Sequence, residues 1–152
     1  GYGQLAWKLR QDERVVVLER TNARYLESLP ESVGIVTIDA SFISLKLLLP
    51  AVARWLAPGA DVVPLVKPQF EAGRGQVGKG GVIRDPEVHS EVLEKVANYA
   101  NANGFSVHGV IRSPITGPAG NVEFLMHLRQ VPSENNFDLA AAIAGCLVND
   151  SA

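Results

Sequence analysis

The 152-residue sequence predicts an α/β protein built on a doubly wound sheet. Aliphatic and β-branched runs, which are typical of buried strands, alternate with segments whose apolar residues recur at helical spacing. Hydrophobic residues make up 47% of the chain and charged residues 20%, a balance typical of a globular domain. Because strands and helices alternate along the chain, we expect a mostly parallel sheet with helices packed against it.

The first half of the chain predicts two helices and three strands. In order they are a short amphipathic helix over 3–11, a strand over 15–18, a strand over 33–38, a helix over 44–56 and a strand over 62–66. Ser44 is placed to cap the second helix and Pro58-Gly59 to end it, and Pro50 should either kink the helix or delay its start.

The second half predicts two more helices and two more strands. A glycine-rich segment over 71–81 cannot form a regular element and precedes a helix that begins at Asp85-Pro86 and stops at Gly104. A strand over 107–111, a long turn over 112–121, a strand over 122–129 with one wetter face and an alanine-rich helix over 137–148 follow.

Composition and charge exclude several classes of protein. Fourteen Lys and Arg against sixteen Asp and Glu give a net charge of −2, so nucleic-acid binding would need a local basic patch. The single cysteine, Cys146, excludes an intrachain disulfide and predicts a reducing, cytoplasmic compartment. The apolar run over 139–148 is too short to span a membrane, and no signal peptide opens the sequence.

Motifs for nucleotide and metal binding are weak in this sequence. The run Gly73-Arg-Gly-Gln-Val-Gly78 matches G-x-G-x-x-G, but no tight strand–turn–helix surrounds it, and Gly80 stands where a P-loop needs Ser or Thr. The three histidines lack cysteine or carboxylate partners at metal-ligand spacing, so no metal site is expected. Cys146 lies in an apolar helix and is interpreted as an inert core thiol.

Polar residues at the ends of predicted strands form the strongest candidate site. Asp39 directly follows the run over 33–38, and Lys67 directly follows the run over 62–66. Glu123 lies within the polar face of the last strand. Ligands of open α/β sheets bind beyond the carboxyl ends of the strands, so Asp39 and Lys67 are expected to face one crevice, with Glu123 reaching it.

Four segments of the sequence carry a specific resemblance: Asp39-Ala-Ser-Phe-Ile-Ser-Leu, Leu65-Val-Lys-Pro-Gln-Phe-Glu71, Gly78-Lys-Gly-Gly-Val-Ile-Arg-Asp-Pro86 and Ser113-Pro-Ile-Thr-Gly-Pro-Ala-Gly-Asn-Val-Glu-Phe124. They resemble the TlyA (hemolysin A) family, which belongs to the FtsJ-like S-adenosylmethionine-dependent RNA 2′-O-methyltransferases. The resemblance implies a Rossmann-like methyltransferase sheet, mostly parallel with an antiparallel last strand. Residues 1–152 would be the C-terminal two-thirds of that domain, truncated at its N-terminus, without the S4-type RNA-binding domain and the glycine-rich cofactor motif.

The resemblance also implies roles for individual residues. It assigns the catalytic set to Asp39, Lys67 and Glu123, the cofactor contacts to Tyr2, Gln4, Thr21, Asn22 and Asp39, and the ribosomal RNA contacts to Arg74, Lys79, Arg84 and Arg112. Lys67 could accept the proton of a ribose 2′-hydroxyl only in its neutral form, which burial favours and neighbouring carboxylates disfavour. Without the glycine-rich motif, S-adenosylmethionine is expected to bind this chain weakly or not at all.

Two further expectations concern alternatives. The chain could instead be an RNA-binding, hemolysin-like module without catalytic activity, although no apolar span or strongly basic amphipathic helix supports insertion into a membrane. The truncation would leave the strand over 33–38 at an exposed sheet edge. We therefore expect either that the strand over 15–18 pairs beside it or that two chains form a homodimer through this edge.

Overall fold

The computed structural model describes residues 2–73, 75–131 and 137–148. Within these ranges the chain forms the helices α1 (Trp7–Arg10), α2 (Leu45–Val52), α3 (Pro68–Glu71), α4 (Pro86–Ala102) and α5 (Leu139–Leu147). The strands are β1 (Val33–Ile38), β2 (Leu56–Val66), β3 (Ser106–Arg112) and β4 (Phe124–Arg129), with 3₁₀ turns at Ala23–Tyr25 and Lys79–Gly81.

The four strands form one mixed sheet in the order β1-β2-β4-β3. β1 and β2 are parallel, whereas β4 runs antiparallel to both of its neighbours. This arrangement confirms the predicted sheet with an antiparallel last strand. Because β4 runs in the opposite direction, its first residue lies at the same end of the sheet as the last residues of β1 and β2.

The hydrophobic core lies on one face of this sheet. Alternate residues of β2 and β4 point into it, and Val62, Val66, Phe124, Met126 and Leu128 are completely buried there. Helices α2 and α4 contribute to the same core cluster through apolar side chains such as Leu49, Leu93 and Val96. Burial of these aliphatic and aromatic groups is the main favourable contribution to folding.

The elements predicted for the second half of the chain are confirmed to within a few residues. Asp85 caps α4 by accepting a hydrogen bond from the Glu87 amide, and Pro86 occupies the first turn. β4 alternates buried and half-buried residues, as its sequence pattern predicts. The predicted N-terminal helix over 3–11 is shorter than expected, since only Trp7–Arg10 is helical.

The expected end of the second helix is wrong. Ser44 caps α2 as predicted, but the helix ends at Val52, two residues after Pro50, and β2 begins at Leu56. Pro50 lies inside the helix and does not end it, since the Ala53 amide still donates to the Leu49 carbonyl. Strand β2 begins at Leu56 because this residue pairs with Val33 of β1 in the parallel ladder.

The strand predicted over 15–18 is also wrong, and so is its pairing beside β1. These residues have no strand assignment, and Val16 and Leu18 are 70% and 48% exposed. The flanking Glu19 is held instead by local partners, namely the side chain of Arg10 and the amide of Gly3. A β-branched run becomes a strand only where a sheet edge receives it. Edge-to-edge pairing of two chains through β1 stays a prediction.

A buried carboxylate connects the two segments that follow β1 and β2. Glu71, the last residue of α3, accepts hydrogen bonds from the Leu45 amide at 2.6 Å and from the Ser44 hydroxyl at 2.7 Å. It thereby caps the N-terminus of α2 from 26 residues away. Burial raises the pKa of Glu71 above its usual range, although these two hydrogen bonds favour the ionised form.

Substitution of this carboxylate should destabilise the fold. We expect Glu71→Ala to lower the free energy of unfolding by about 2–3 kcal/mol, because it leaves the Leu45 amide and the Ser44 hydroxyl without their acceptor, although the Ser44 cap of α2 remains. Glu71→Gln retains an acceptor and should cost less than about 1 kcal/mol. Urea unfolding measures both, with the exposed Glu94 replaced by alanine as the control. Equal losses for Glu71→Ala and Glu94→Ala would contradict the capping role.

Candidate active site

Asp39 and Lys67 meet at the carboxyl ends of β1 and β2. The Lys67 Nζ lies 2.6 Å from the Asp39 Oδ1 and donates a hydrogen bond to the Ser41 Oγ at 3.1 Å. The Lys67 side chain is only 11% exposed, whereas that of Asp39 is 75% exposed. The Lys67 side chain is therefore largely shielded from water, whereas the Asp39 carboxylate remains hydrated.

Glu123 lies at the same end of the sheet, directly before β4, which runs antiparallel to β2. Phe124 pairs with Val66 in the sheet, so the residue before β4 lies beside the residue after β2. The Glu123 residue is buried, and its Oε1 accepts a hydrogen bond from the Gln69 Nε2 at 2.9 Å. The expected meeting of Asp39, Lys67 and Glu123 at one edge of the sheet is confirmed as geometry.

A cleft of about 390 Å³ is lined by Lys67 and Glu123 but not by Asp39, and we call it the central cleft. Its walls include Ser41, Phe42, Lys67, Gln69, Phe70, Gly117 and Glu123. Phe42 is 90% exposed at a left-handed backbone position with φ of 60°, and its ring centroid lies 4.8 Å from that of Phe70. A non-glycine residue in this conformation is strained, and such strain clusters at functional sites.

A second cavity, the edge pocket, lies beside β1 and has a volume of about 460 Å³. Thr21, Asn22 and Asp39 line it together with apolar residues of β1 and α2. Tyr2 lines a different cavity beside Arg10 and Glu19, and Gln4 lines neither. The structure therefore brings together three of the five residues predicted to contact the cofactor, and it separates Tyr2 and Gln4 from them.

Two of the predicted RNA contacts share a third cavity of about 210 Å³, the basic pocket. Arg84 and Arg112 line it beside His89 and Cys146. Burial lowers the pKa of His89 and raises that of the Cys146 thiol, so both groups favour their neutral forms. Arg74 and the side chain of Lys79 lie outside the described residues.

Histidine and carboxylate side chains do not assemble into a metal site in the described ranges. No group of three His, Cys, Asp or Glu residues there could hold a metal ion. His127 pairs with Asp61 at 2.8 Å, and this contact lowers the pKa of Asp61. His89 packs edge-on against Phe124, and its Nε2 lies 3.3 Å from the Ile83 carbonyl oxygen.

Several residues of the central cleft have no signal of their own in the sequence analysis. Ser41 and Phe42 follow Asp39 in the loop between β1 and α2, and Gln69 follows Lys67 on α3. Two signals point to them: they are close to the strand-end charges, and they lie in segments that carry the family resemblance. Gly117 has only the second of these signals, since it belongs to the turn between β3 and β4.

Among the residues described, none of the helices combines the length and the apolar character needed to cross a bilayer.

Comparisons with known proteins agree on one family. The family model of the FtsJ-like methyltransferases matches residues 1–130. The "Putative rRNA methyltransferase YqxC" of Bacillus subtilis is 56% identical over 131 residues, which are 84% of this chain and 47% of that protein. The 16S/23S rRNA (cytidine-2′-O)-methyltransferase TlyA of Mycobacterium tuberculosis is 54% identical over 133 residues, with 85% and 49% covered.

A solved structure supports the same relationship. The "Putative hemolysin from Streptococcus thermophilus" superposes with a TM-score of 0.87 at 46% identity, covering 96% of this chain and 55% of that one. The chain spans about half the length of the curated relatives that it matches. With the mixed sheet and the strand-end site described above, these matches show that the chain belongs to the FtsJ-like methyltransferase family.

Proposed function

We propose that this chain carries the methyl-transfer site of an S-adenosylmethionine-dependent methyltransferase that acts on ribose 2′-hydroxyls of ribosomal RNA. The observation that carries the proposal is the ion pair between Lys67 and Asp39. Lys67 lines the central cleft and Asp39 lines the edge pocket, and their charged atoms are 2.6 Å apart. A methyl donor in one cavity and a hydroxyl in the other would therefore meet at this pair.

The names of the relatives support the reaction and the substrate. The Mycobacterium tuberculosis relative is named as a methyltransferase of cytidine 2′-oxygens in 16S and 23S rRNA. We further propose that residues 1–152 form the C-terminal two-thirds of the methyltransferase domain, since the relatives are about twice as long. An enzyme acting on ribosomal RNA would work in the cytoplasm.

The edge pocket fits the cofactor through its size and its lining. Small-molecule sites are concave, mainly apolar cavities of a few hundred Å³ with few polar groups, and this pocket combines apolar walls with Thr21, Asn22 and Asp39. These residues would hold the adenosine part of S-adenosylmethionine. When bound, the cofactor supplies an electrophilic methyl group on a sulfonium sulfur. Tyr2 and Gln4 stay predicted cofactor contacts that this pocket does not include.

Lys67 would accept the proton of the 2′-hydroxyl as the methyl group is transferred. Its Nζ lies at the junction of the two cavities, and only 11% of the side chain is exposed. Once protonated, the ammonium is held by the Asp39 carboxylate and the Ser41 hydroxyl. Glu123, from the far side of the central cleft, would orient the same hydroxyl for in-line displacement.

The RNA itself would be held by aromatic and basic groups around the cleft. Phe42 presents an exposed ring at the wall of the central cleft, where a nucleobase could stack on it. Arg84 and Arg112 would contact phosphates from the basic pocket, and we keep Arg74 and Lys79 as further predicted contacts. Pairing of two chains through β1, whose Ile35 is 65% exposed, remains part of the proposal.

Substitution of the proposed catalytic residues tests the function directly. In the complete protein, Lys67→Met, Asp39→Asn and Glu123→Gln should each lower the rate of methyl transfer to ribosomal subunits about 10²–10⁴-fold. The measurement is incorporation of labelled methyl groups, followed by identification of the modified 2′-oxygen. Lys46→Met is the matched control, because Lys46 lines neither the central cleft nor the edge pocket.

Two outcomes of that experiment would contradict the proposal. Wild-type protein that binds ribosomal RNA without methylating it would favour the RNA-binding module. If the Lys67→Met variant methylates RNA at the rate of the Lys46→Met control, Lys67 is not the proton acceptor.

Cofactor affinity of the 152-residue chain alone forms a separate prediction. Calorimetry should detect weak binding of S-adenosylmethionine or none, because the edge pocket lies beside β1, the outermost strand of the described sheet. The complete protein serves as the positive control, and circular dichroism verifies that the short chain is folded. Micromolar affinity of the short chain would contradict this expectation and would mean that the edge pocket suffices.

Salt dependence tests the basic pocket as an RNA-binding surface. Arg84→Gln should weaken RNA binding and reduce the slope of log affinity against log salt by about 0.7–0.9, the value for one lost phosphate contact. Filter binding over a range of salt concentrations measures the slope. Arg14→Gln is the control, since Arg14 is far from Arg84 in the sequence and pairs with Asp12. An unchanged slope for Arg84→Gln would remove this residue from the interface.

A further inference from the structure

We propose that Gln69 and Gly117 are positioning residues that hold the carboxylate of Glu123 in the central cleft. The inference rests on the proposed function and deepens it, because it names the groups that orient one of the proposed catalytic side chains. Neither residue would act on the substrate itself. Both would act on the Oε1 atom of Glu123: Gln69 donates a hydrogen bond to it, and Gly117 has no side chain to collide with it.

Gln69 supplies the hydrogen bond. Its Nε2 donates to the Glu123 Oε1 at 2.9 Å, across 54 residues of sequence. The opposite amide atom, Oε1, is buried and has no hydrogen-bond partner among the described residues. Because a carboxylate can only accept, turning the amide over would bring two acceptors together. A buried acceptor without a partner is costly, so a glutamine kept here for packing alone would be a poor choice.

Gly117 supplies the space. A Cβ atom built on Gly117 would lie 2.7 Å from the Glu123 Oε1 and 3.3 Å from its Cδ. The backbone of Gly117 does not have a positive φ, so alanine is compatible with its conformation. Glycine is therefore needed at position 117 because the Glu123 carboxylate occupies the space of a side chain, and not because of the backbone conformation of the turn.

The turn that carries Gly117 is anchored and has little freedom to retreat. The Gly117 amide donates to the Asn121 carbonyl at 2.9 Å, and the Gly120 amide donates back to the Gly117 carbonyl at 2.8 Å. Asn121 is buried and bonds to the backbone of Ile83 and of Gly81 through its side chain. An added methyl group on Gly117 would thus displace the carboxylate in preference to the backbone.

These contacts leave the second carboxylate oxygen available. Glu123 Oε2 has no hydrogen-bond partner among the described residues, while Oε1 is engaged by Gln69. Fixing one oxygen points the other in a defined direction. Lys67, Gln69 and Glu123 all line the central cleft, so a substrate hydroxyl in the cleft would meet a carboxylate of fixed orientation.

The test compares two variants with two matched controls in the complete protein. Gln69→Met removes the donor and the unpartnered acceptor at nearly constant volume, and Gly117→Ala adds one methyl group. Each should lower kcat for RNA methylation about 10–100-fold, the size of effect expected when a supporting contact or about 1 Å of alignment is lost. KM for RNA and the unfolding temperature should stay close to those of the wild type.

The controls make the same substitutions at two residues that do not line the central cleft. Gln76→Met breaks a similar hydrogen bond, from Gln76 Nε2 to Glu91 Oε2 at 2.6 Å, and Gly145→Ala adds a methyl group where nothing lies within 4 Å. Both should retain the wild-type kcat. A fall in kcat for the controls equal to that of the test variants would overturn the inference.

A double-mutant cycle separates positioning from any direct or general effect. In a Glu123→Ala background, Gln69→Met and Gly117→Ala should cause no further loss of the residual rate, because the group that they position is absent. Additive losses would overturn the inference. If the wild type methylates no RNA, the proposed function fails, and crystal structures of the two variants then decide the inference. A Glu123 carboxylate that has not moved in either variant would refute it.

Discussion

The hydrogen bonds of the buried Glu71 carboxylate hold the candidate site together. The loop after β1 contributes Ser41 and Phe42 to the central cleft, and the short helix after β2 contributes Gln69 and Phe70. Glu71 joins them through the Ser44 hydroxyl and the Leu45 amide, while the Lys95 Nζ donates to the Glu71 backbone carbonyl. The carboxylate thus links the end of one segment to the end of the other, and the link to α4 fixes both against the core.

The ion pair between Asp39 and Lys67 can be understood from this linkage. Both residues lie in segments that Glu71 ties to each other, so the distance between them depends little on their own attraction. An ion pair with one exposed partner contributes little to stability. Its geometry is imposed by the surrounding backbone, so the pair is not needed to hold the two segments together.

Sequence reasoning predicted the parts of the molecule in which local pattern and tertiary environment agree. Asp39 and Lys67 follow continuous β-branched runs, and parallel strands necessarily bring such ends together. Glu123 was singled out from its strand pattern, but its catalytic role came from the resemblance, and its position at the cleft depends on β4 running antiparallel. The run over 15–18 has the composition of a strand, but no edge accepts it, and the start of β2 is set by pairing with β1 and not by the residues of 53–61. Gln69 and Gly117 contact Glu123 only through the fold, which no local pattern reports.

The reversed direction of β4 has a consequence for how the site could diversify. Asp39 and Lys67 leave the sheet at the ends of strands, but Glu123 enters it, so the long connection from β3 delivers that carboxylate. Changes in the length or composition of this connection alter where the acid lies without disturbing any strand pairing. The other two charges are set by the ladder between β1 and β2. The shape of the central cleft can thus vary through a single surface turn while the pairing of Asp39 with Lys67 stays constant.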